Sequence, residues 1–308
     1  MAEPIRVIVR RGEVVEATHL VHAVAVRDGR TVAEAGDAAL VTLLRSSAKP
    51  FQALPLARAY DDLDPRELAI ASASHLAGSE QLAAVRMLLA RAHAGEQDLE
   101  CGAEGHPPSR LKHNCSGKHA GMLAVCRAHG WRTEGYRHAH HRMQRANLQD
   151  VARAAGLDED AIPTAVDGCG VVTFGLSLER MAALFARLEQ MPEGQRVADA
   201  MRAHPELIRG PGATDTVLMQ TLPGAVAKGG AEGLLCGVLA DGTGFTLKSA
   251  DGAARALGPA VAAFLGTLGA ELPALAELPL ANSRGERVGT IAVDEPSKNR
   301  RGNCRVPV

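Results

Sequence analysis

The sequence predicts an α+β fold, with a central antiparallel sheet built from both chain ends and helices flanking it. Three observations carry this. Strand-like runs separated by glycine-centred turns fill residues 4–44, similar runs return over 225–293, and residues 46–220 between them carry apolar side chains at helical spacing. No repeat, low-complexity tract or long linker divides the 308 residues, so 1–308 is read as a single unit.

Each element has its own signal. Ile5-Arg6-Val7-Ile8-Val9-Arg10 partly alternates, Gly12 marks a turn, and Val14-Val15 and His22-Ala23-Val24-Ala25-Val26 are strand-like. Asp28-Gly29 is a hairpin signal before Thr31-Val32, and 39–44 is one more strand-like run, giving a meander of three or four strands. Residues 50–60, 65–73 and 79–94 then follow helical spacing, with Asp64-Pro65 as an N-cap and first-turn pair. Residues 96–114 are irregular. Helices are expected from 115 to about 130 and over 140–155, 177–189, 194–204 and 214–220, with a glycine-rich turn at 165–171. Strands return at 225–228, 233–240 and 243–249, with Asp241-Gly242 turning the last pair; a helix over 252–267 and a strand over 288–293 follow. The basic tail, 296–308, is expected to fray.

Composition narrows the class. The chain is 46% hydrophobic and 22% charged with a net charge of −1, which suits a soluble globular protein and argues against a nucleic-acid or anionic-membrane partner. Met1-Ala2-Glu3-Pro4-Ile5-Arg6 lacks a signal-peptide pattern, and no apolar run reaches membrane-spanning length, so a cytoplasmic location is expected. Six scattered cysteines with no Cys-x-x-Cys pair do not read as a disulfide framework. With aromatics at 3%, the core must be built mainly from Ala, Leu and Val.

Four stretches could carry chemistry. In Ser46-x-x-Lys49, positions i and i+3 share a helix face, so a neutral lysine could take the serine proton. The plainer alternative is an N-cap serine before a solvated lysine. Ser74-His75 offers a second hydroxyl beside an imidazole. Cys115-x-x-Lys118 and Asp167-Gly168-Cys169 set thiols among glycines; the spacing is unusual for zinc, and buried cysteines are the alternative. Lys228-Gly229-Gly230 opens a strand, and Ser-x-x-Lys followed much later by Lys-[Ser/Thr]-Gly is the order found in penicillin-binding proteins and serine β-lactamases, with Gly229 here at the hydroxyl position. His138-Ala139-His140-His141 reads as a solvated cluster. Cys101, Cys126, Cys236 and Cys304 read as structural, and Gly210-Pro211-Gly212 as a turn.

The blocks Arg45-Ser46-Ser47-Ala48-Lys49-Pro50-Phe51-Gln52, Ala73-Ser74-His75, His113-Asn114-Cys115-Ser116-Gly117-Lys118-His119-Ala120-Gly121, Asp167-Gly168-Cys169-Gly170 and Lys228-x-Gly-Ala-Glu-Gly233 together resemble the class 3, rhizobial-type L-asparaginases. The resemblance implies a serine β-lactamase-like fold, a homodimer, and hydrolysis of L-asparagine to L-aspartate and ammonia within a single catalytic unit. It implies Ser46 with Lys49 and Ser74 with Lys228 as two Ser–Lys pairs, acting through an acyl-enzyme. Cys115, Lys118 and Cys169 would hold one zinc ion, Arg45 and Asp167 would shape the substrate pocket or the surroundings of the metal, and His75 would belong to the substrate pocket. Two departures are visible: Val171-Val172 stands where the family pattern has a proline, and Leu76-Ala77-Gly78-Ser79 follows Ser74-His75, which leaves Ser72 as an alternative counterpart. The other readings are a glutaminase or β-lactamase-like amidohydrolase, or a non-enzymatic zinc- or amino-acid-binding protein.

Overall fold

The computed structural model describes residues 2–294; Cys304 and the tail expected to fray lie outside the described residues. The main sheet contains β1 (Ile5–Arg11), β2 (Val14–Arg27), β3 (Arg30–Ala35), β7 (Val226–Gly230), β8 (Leu234–Val238), β9 (Gly244–Ser249), β10 (Glu277–Ala281) and β11 (Arg287–Val293). Its order is β10-β11-β1-β2-β9-β8-β7, with β3 added along β2, and every pairing is antiparallel. Asp28 and Gly29, at φ 51 and 73, make the tight β2–β3 turn that the dipeptide signals. β8 and β9 are buried at every position, so helices cover both faces at the centre. One of these is Leu178–Ala186, which lies so close that a Cβ on Gly244 would stand 2.0 Å from Ala182 O.

The sequence reading needs correction in four places. The run over 39–44 gives β4 (Val41–Leu43), which leaves the main sheet and pairs with β6 (Val172–Ser177), itself paired with β5 (Thr164–Val166). β6 was not anticipated, because five consecutive buried residues show no alternation and run directly into the next helix. β10 was also missed; Pro279 within it disguises an edge strand. The helix over 50–60 is two pieces, Lys49–Gln52 and Leu54–Ala59, each with a proline in its first turn. Asp64 caps as expected: its Oδ1 accepts from Arg66 N at 2.8 Å, and Glu67 Oε2 accepts from Asp64 N at 3.0 Å.

One close approach sets the positions of several motif residues. Helix Ser116–Ala128 meets the end of helix Pro65–Ala71 at Gly117, where a Cβ would stand 2.2 Å from Ile70 O. That contact brings Cys115 alongside segment 73–75, and His75 N donates to Asn114 O at 3.2 Å. A methyl group there must push backbone away from backbone. Gly117→Ala is therefore expected to destabilise the protein by about 1–3 kcal/mol, read as a lower urea midpoint with an unchanged m-value.

Candidate active site

Ser46 and Lys49 sit on a 3₁₀ turn, Arg45–Ala48, that runs into helix Lys49–Gln52. Arg45 has φ 48, a left-handed backbone rarely adopted by a side chain of this size, and its N–H is held by Thr173 Oγ1 at 2.9 Å. The turn leaves Ser46 half-buried on the wall of a cleft and sends Lys49 inward. Lys49 is fully buried, and its Nζ donates to Ala73 O at 2.5 Å and to Ser74 Oγ at 2.8 Å. Among the described residues the Ser46 hydroxyl has no hydrogen bond. The observed lysine–serine bond thus joins Lys49 to Ser74, across 25 residues, rather than to its motif partner.

Lys228 lies on β7, also fully buried, and reaches Asp215 rather than Ser74. Its Nζ donates to Gly229 O at 2.7 Å and stands 3.7 Å from Asp215 Oδ2. Asp215, which no motif flags, is held by the N–H groups of Gly229 and Thr216 at 3.0 and 3.1 Å. Ser47 ties the two halves together, its Oγ donating to Lys228 O at 2.8 Å. Burial lowers the pKa of Lys49, with Lys118 adding repulsion against the opposing pull of Cys115 and Cys169. Burial likewise brings Lys228 to about 7, opposed by Asp215 and reinforced by the charge of Lys49.

A second cluster adjoins the first. Cys115 caps helix Ser116–Ala128, Lys118 lies one turn on, and Cys169 sits in the 167–171 turn. Lys118 Nζ donates to Cys169 Sγ at 3.1 Å. A hydrogen bond with Cys115, outweighing burial, and the Lys118 charge bring Cys169 down to about 5. Burial would lower Lys118, but Cys169, Cys115 and Asp167 raise it overall. Among the described residues no three His, Cys, Asp or Glu gather in metal-binding fashion, so the donor set here is two sulfurs and one amine. That set suits a borderline-soft ion, because thiolates are its preferred ligands and the amine, once deprotonated, supplies a nitrogen.

Arg45, Asp167 and His75 frame these clusters. Arg45 Nε donates to Asp167 Oδ1 at 2.7 Å, and that oxygen also accepts from Gly168 N at 2.8 Å. Against burial, Lys118 and Arg45 hold the Asp167 carboxyl below its usual range. His75 is buried and does not line the cleft: Ala77 N–H donates to its Nδ1 at 3.1 Å, and its Nε2 meets Ser116 Oγ at 2.8 Å. The backbone donor leaves the ring proton on Nε2, and burial, then Lys49, lowers its pKa to about 3, so His75 is a neutral clamp between its own loop and the start of helix Ser116–Ala128.

The cleft has a volume of about 380 Å³. Ser46, Ser74, Asn114, Arg209, Asp215 and Glu232 line it. The structure therefore gathers both motif serines at one cavity, with Lys49 and Lys228 behind them and the thiol cluster alongside. Arg209 and Asp215 come from 205–221, which the sequence reading assigned only to helix and turn.

A family model described as L-asparaginase II matches residues 7–293. No curated protein gives a significant match. Among solved structures, the chain is similar to a β-lactamase from Mycobacterium bovis at 16% identity and a TM-score of 0.42, covering 76% of this chain and 88% of that one.

The buried Lys228 makes stability depend on pH with a definite sign. Between about pH 7 and the ordinary lysine value of 10.5 the unfolded lysine carries a proton that the folded one lacks, so this group's contribution to stability rises with pH across that window. Below about 7 its full penalty is present. Lys228→Met is expected to flatten the slope of unfolding free energy against pH between 7 and 10, measured by urea titration at several pH values.

Proposed function

The chain belongs to the L-asparaginase II family, and from that premise we propose that it hydrolyses the side-chain amide of L-asparagine through an ester on Ser46, with Lys49 as base and Ser74 as proton carrier. The observation that carries this is the bonding of Lys49. A neutral amine has two N–H donors and one lone pair; both donors are occupied, at Ala73 O and Ser74 Oγ, which leaves the lone pair for the Ser46 proton. Ser46 suits the attacking role because it is half-buried at the cleft and makes no hydrogen bond among the described residues, whereas Ser74 is 2% exposed.

In the first half of the reaction Ser46 Oγ bonds to the amide carbon as its proton passes to Lys49. The C–N bond breaks as Ser74 Oγ–H protonates the departing nitrogen, and Lys49 restores the Ser74 proton. Water then attacks the ester by the reverse route, giving L-aspartate and regenerating Ser46. The negative oxygen formed at each step needs oriented donors, and loss of one such donor typically costs about 3 kcal/mol. Lys228, with its pKa brought to about 7, adds positive charge behind Ser74 when protonated.

Cys115, Lys118 and Cys169 are proposed to hold zinc, whose positive charge would polarise or orient a bound substrate. The chain's own residues supply the rest: Asp167 and Arg45 fix the 167–169 turn beside the thiols, and His75 holds 74–77 against the loop leading into Cys115. The same reading includes a homodimer acting in the cytoplasm, each chain working as one catalytic unit.

Ammonia release tests this directly. Ser46→Ala is expected to lower kcat for L-asparagine by more than about 1,000-fold, with L-glutamine assayed in parallel; activity kept in Ser46→Ala but lost in Ser74→Ala would transfer the attacking role to Ser74. Removal of metal by a chelator is expected to raise KM more than it lowers kcat, restored by added zinc; unchanged kinetics in demonstrably metal-free protein would remove zinc from the scheme.

A further inference from the structure

The mechanism above acts on one end of the substrate, and an α-amino acid presents two charges at the other. Most ionic groups around the cleft already have partners. Both carboxylate oxygens of Asp215 accept backbone N–H groups, Asp167 Oδ1 is held by Arg45 and Gly168, and Lys228 donates to Gly229 O. Two keep most of their hydrogen-bonding capacity unused among the described residues, Arg209 and Glu232, and both line the cavity.

Arg209 follows the short helix Pro205–Ile208, and its Nη1 donates to Ser74 O at 3.4 Å, its sole side-chain hydrogen bond among the described residues. A guanidinium has five N–H donors, so most of this one is free beside the segment that carries the proton. Glu232 lies in the loop between β7 and β8 with φ 60, a conformation that disfavours glutamate and is followed by Gly233 at φ 64. Its carboxylate is 70% exposed, accepts no hydrogen bond among the described residues, and stands 4.0 Å from Arg45 Nη1. Gly252 leaves room for it, since a Cβ there would stand 2.8 Å from Glu232 Oε2.

We infer that Arg209 takes the α-carboxylate of the substrate and Glu232 its α-ammonium, so that the cleft selects a zwitterionic α-amino acid amide over a simple amide. The inference rests on the amide-hydrolase reading of the cleft. A guanidinium matches a carboxylate in two-pronged geometry, and a carboxylate accepts from an ammonium, whereas exchanging the two places like charges together.

Binding to the Ser46→Ala protein, which keeps the cleft without turnover, tests it. Calorimetry would give Kd for L-asparagine, for succinamic acid, which lacks the α-ammonium, and for 3-aminopropanamide, which lacks the α-carboxylate. Adding Glu232→Gln is expected to weaken L-asparagine by about 10- to 100-fold while leaving succinamic acid unchanged. Adding Arg209→Gln should weaken L-asparagine and succinamic acid to a similar degree and leave 3-aminopropanamide unchanged. The ligand that ignores each replaced side chain also reports that the variant is folded. Equal weakening of all three ligands, or of none, would overturn the assignment. A wild-type protein that shows this pattern yet releases no ammonia would instead overturn the catalytic reading and leave the anchors standing.

Discussion

The proposed reaction depends on burial, which lowers the pKa of the Lys49 amine. An ammonium with no carboxylate partner is costly to bury, and among the described residues Lys49 donates to a carbonyl and a hydroxyl. Both come from the segment just beyond helix Pro65–Ala71, which must end where it does for Ala73 O to face the amine. That segment is held in turn: Ser74 N donates to Ile208 O at 2.7 Å, and His75 clamps the far side. The Gly117 contact presses the next helix against the same place.

Three buried lysines lie in the two adjoining clusters, and their surroundings separate them chemically. Burial pushes Lys49 down; burial also brings Lys228 to about 7 despite a carboxylate at 3.7 Å; Lys118 lies against Cys169 and is pushed up. One residue type is thus shifted in different directions, because desolvation is common to all three and the neighbouring charge is not.

Much of this was legible in the sequence, and the losses have a common cause. Hairpins announced themselves through Asp28-Gly29 and Asp241-Gly242, whose backbone demands are local, and Asp64 capped its helix for the same reason. The serines, lysines and cysteines were found because they stand in recognisable blocks. Their pairing was not legible: Lys49 meets Ser74 only because a helix end 24 residues away turns its carbonyl toward the amine. Asp215 and Arg209 carry no motif and acquire meaning only once β7 lies beside helix Thr214–Thr221. β4 was recognised as a strand, but nothing local says which sheet it joins.

The strand order also dictates when the molecule can become itself. β2 finds its central neighbour β9 through pairs such as Val21↔Ser249, and β1 finds β11 through Val7↔Val293. At a translation speed of about 5–20 residues per second, β2 waits on the order of tens of seconds for that neighbour to be made. Meanwhile its open edge is a template for pairing with other chains. Closing so long a loop costs entropy before any contact repays it, so assembly is slow by topology. A nascent chain already carrying Ser46, Lys49, Ser74 and the thiol cluster has no Lys228 and no central sheet, and so cannot yet form the cleft. The hazard for this protein is set by the order of its synthesis, ahead of the stability of the finished fold.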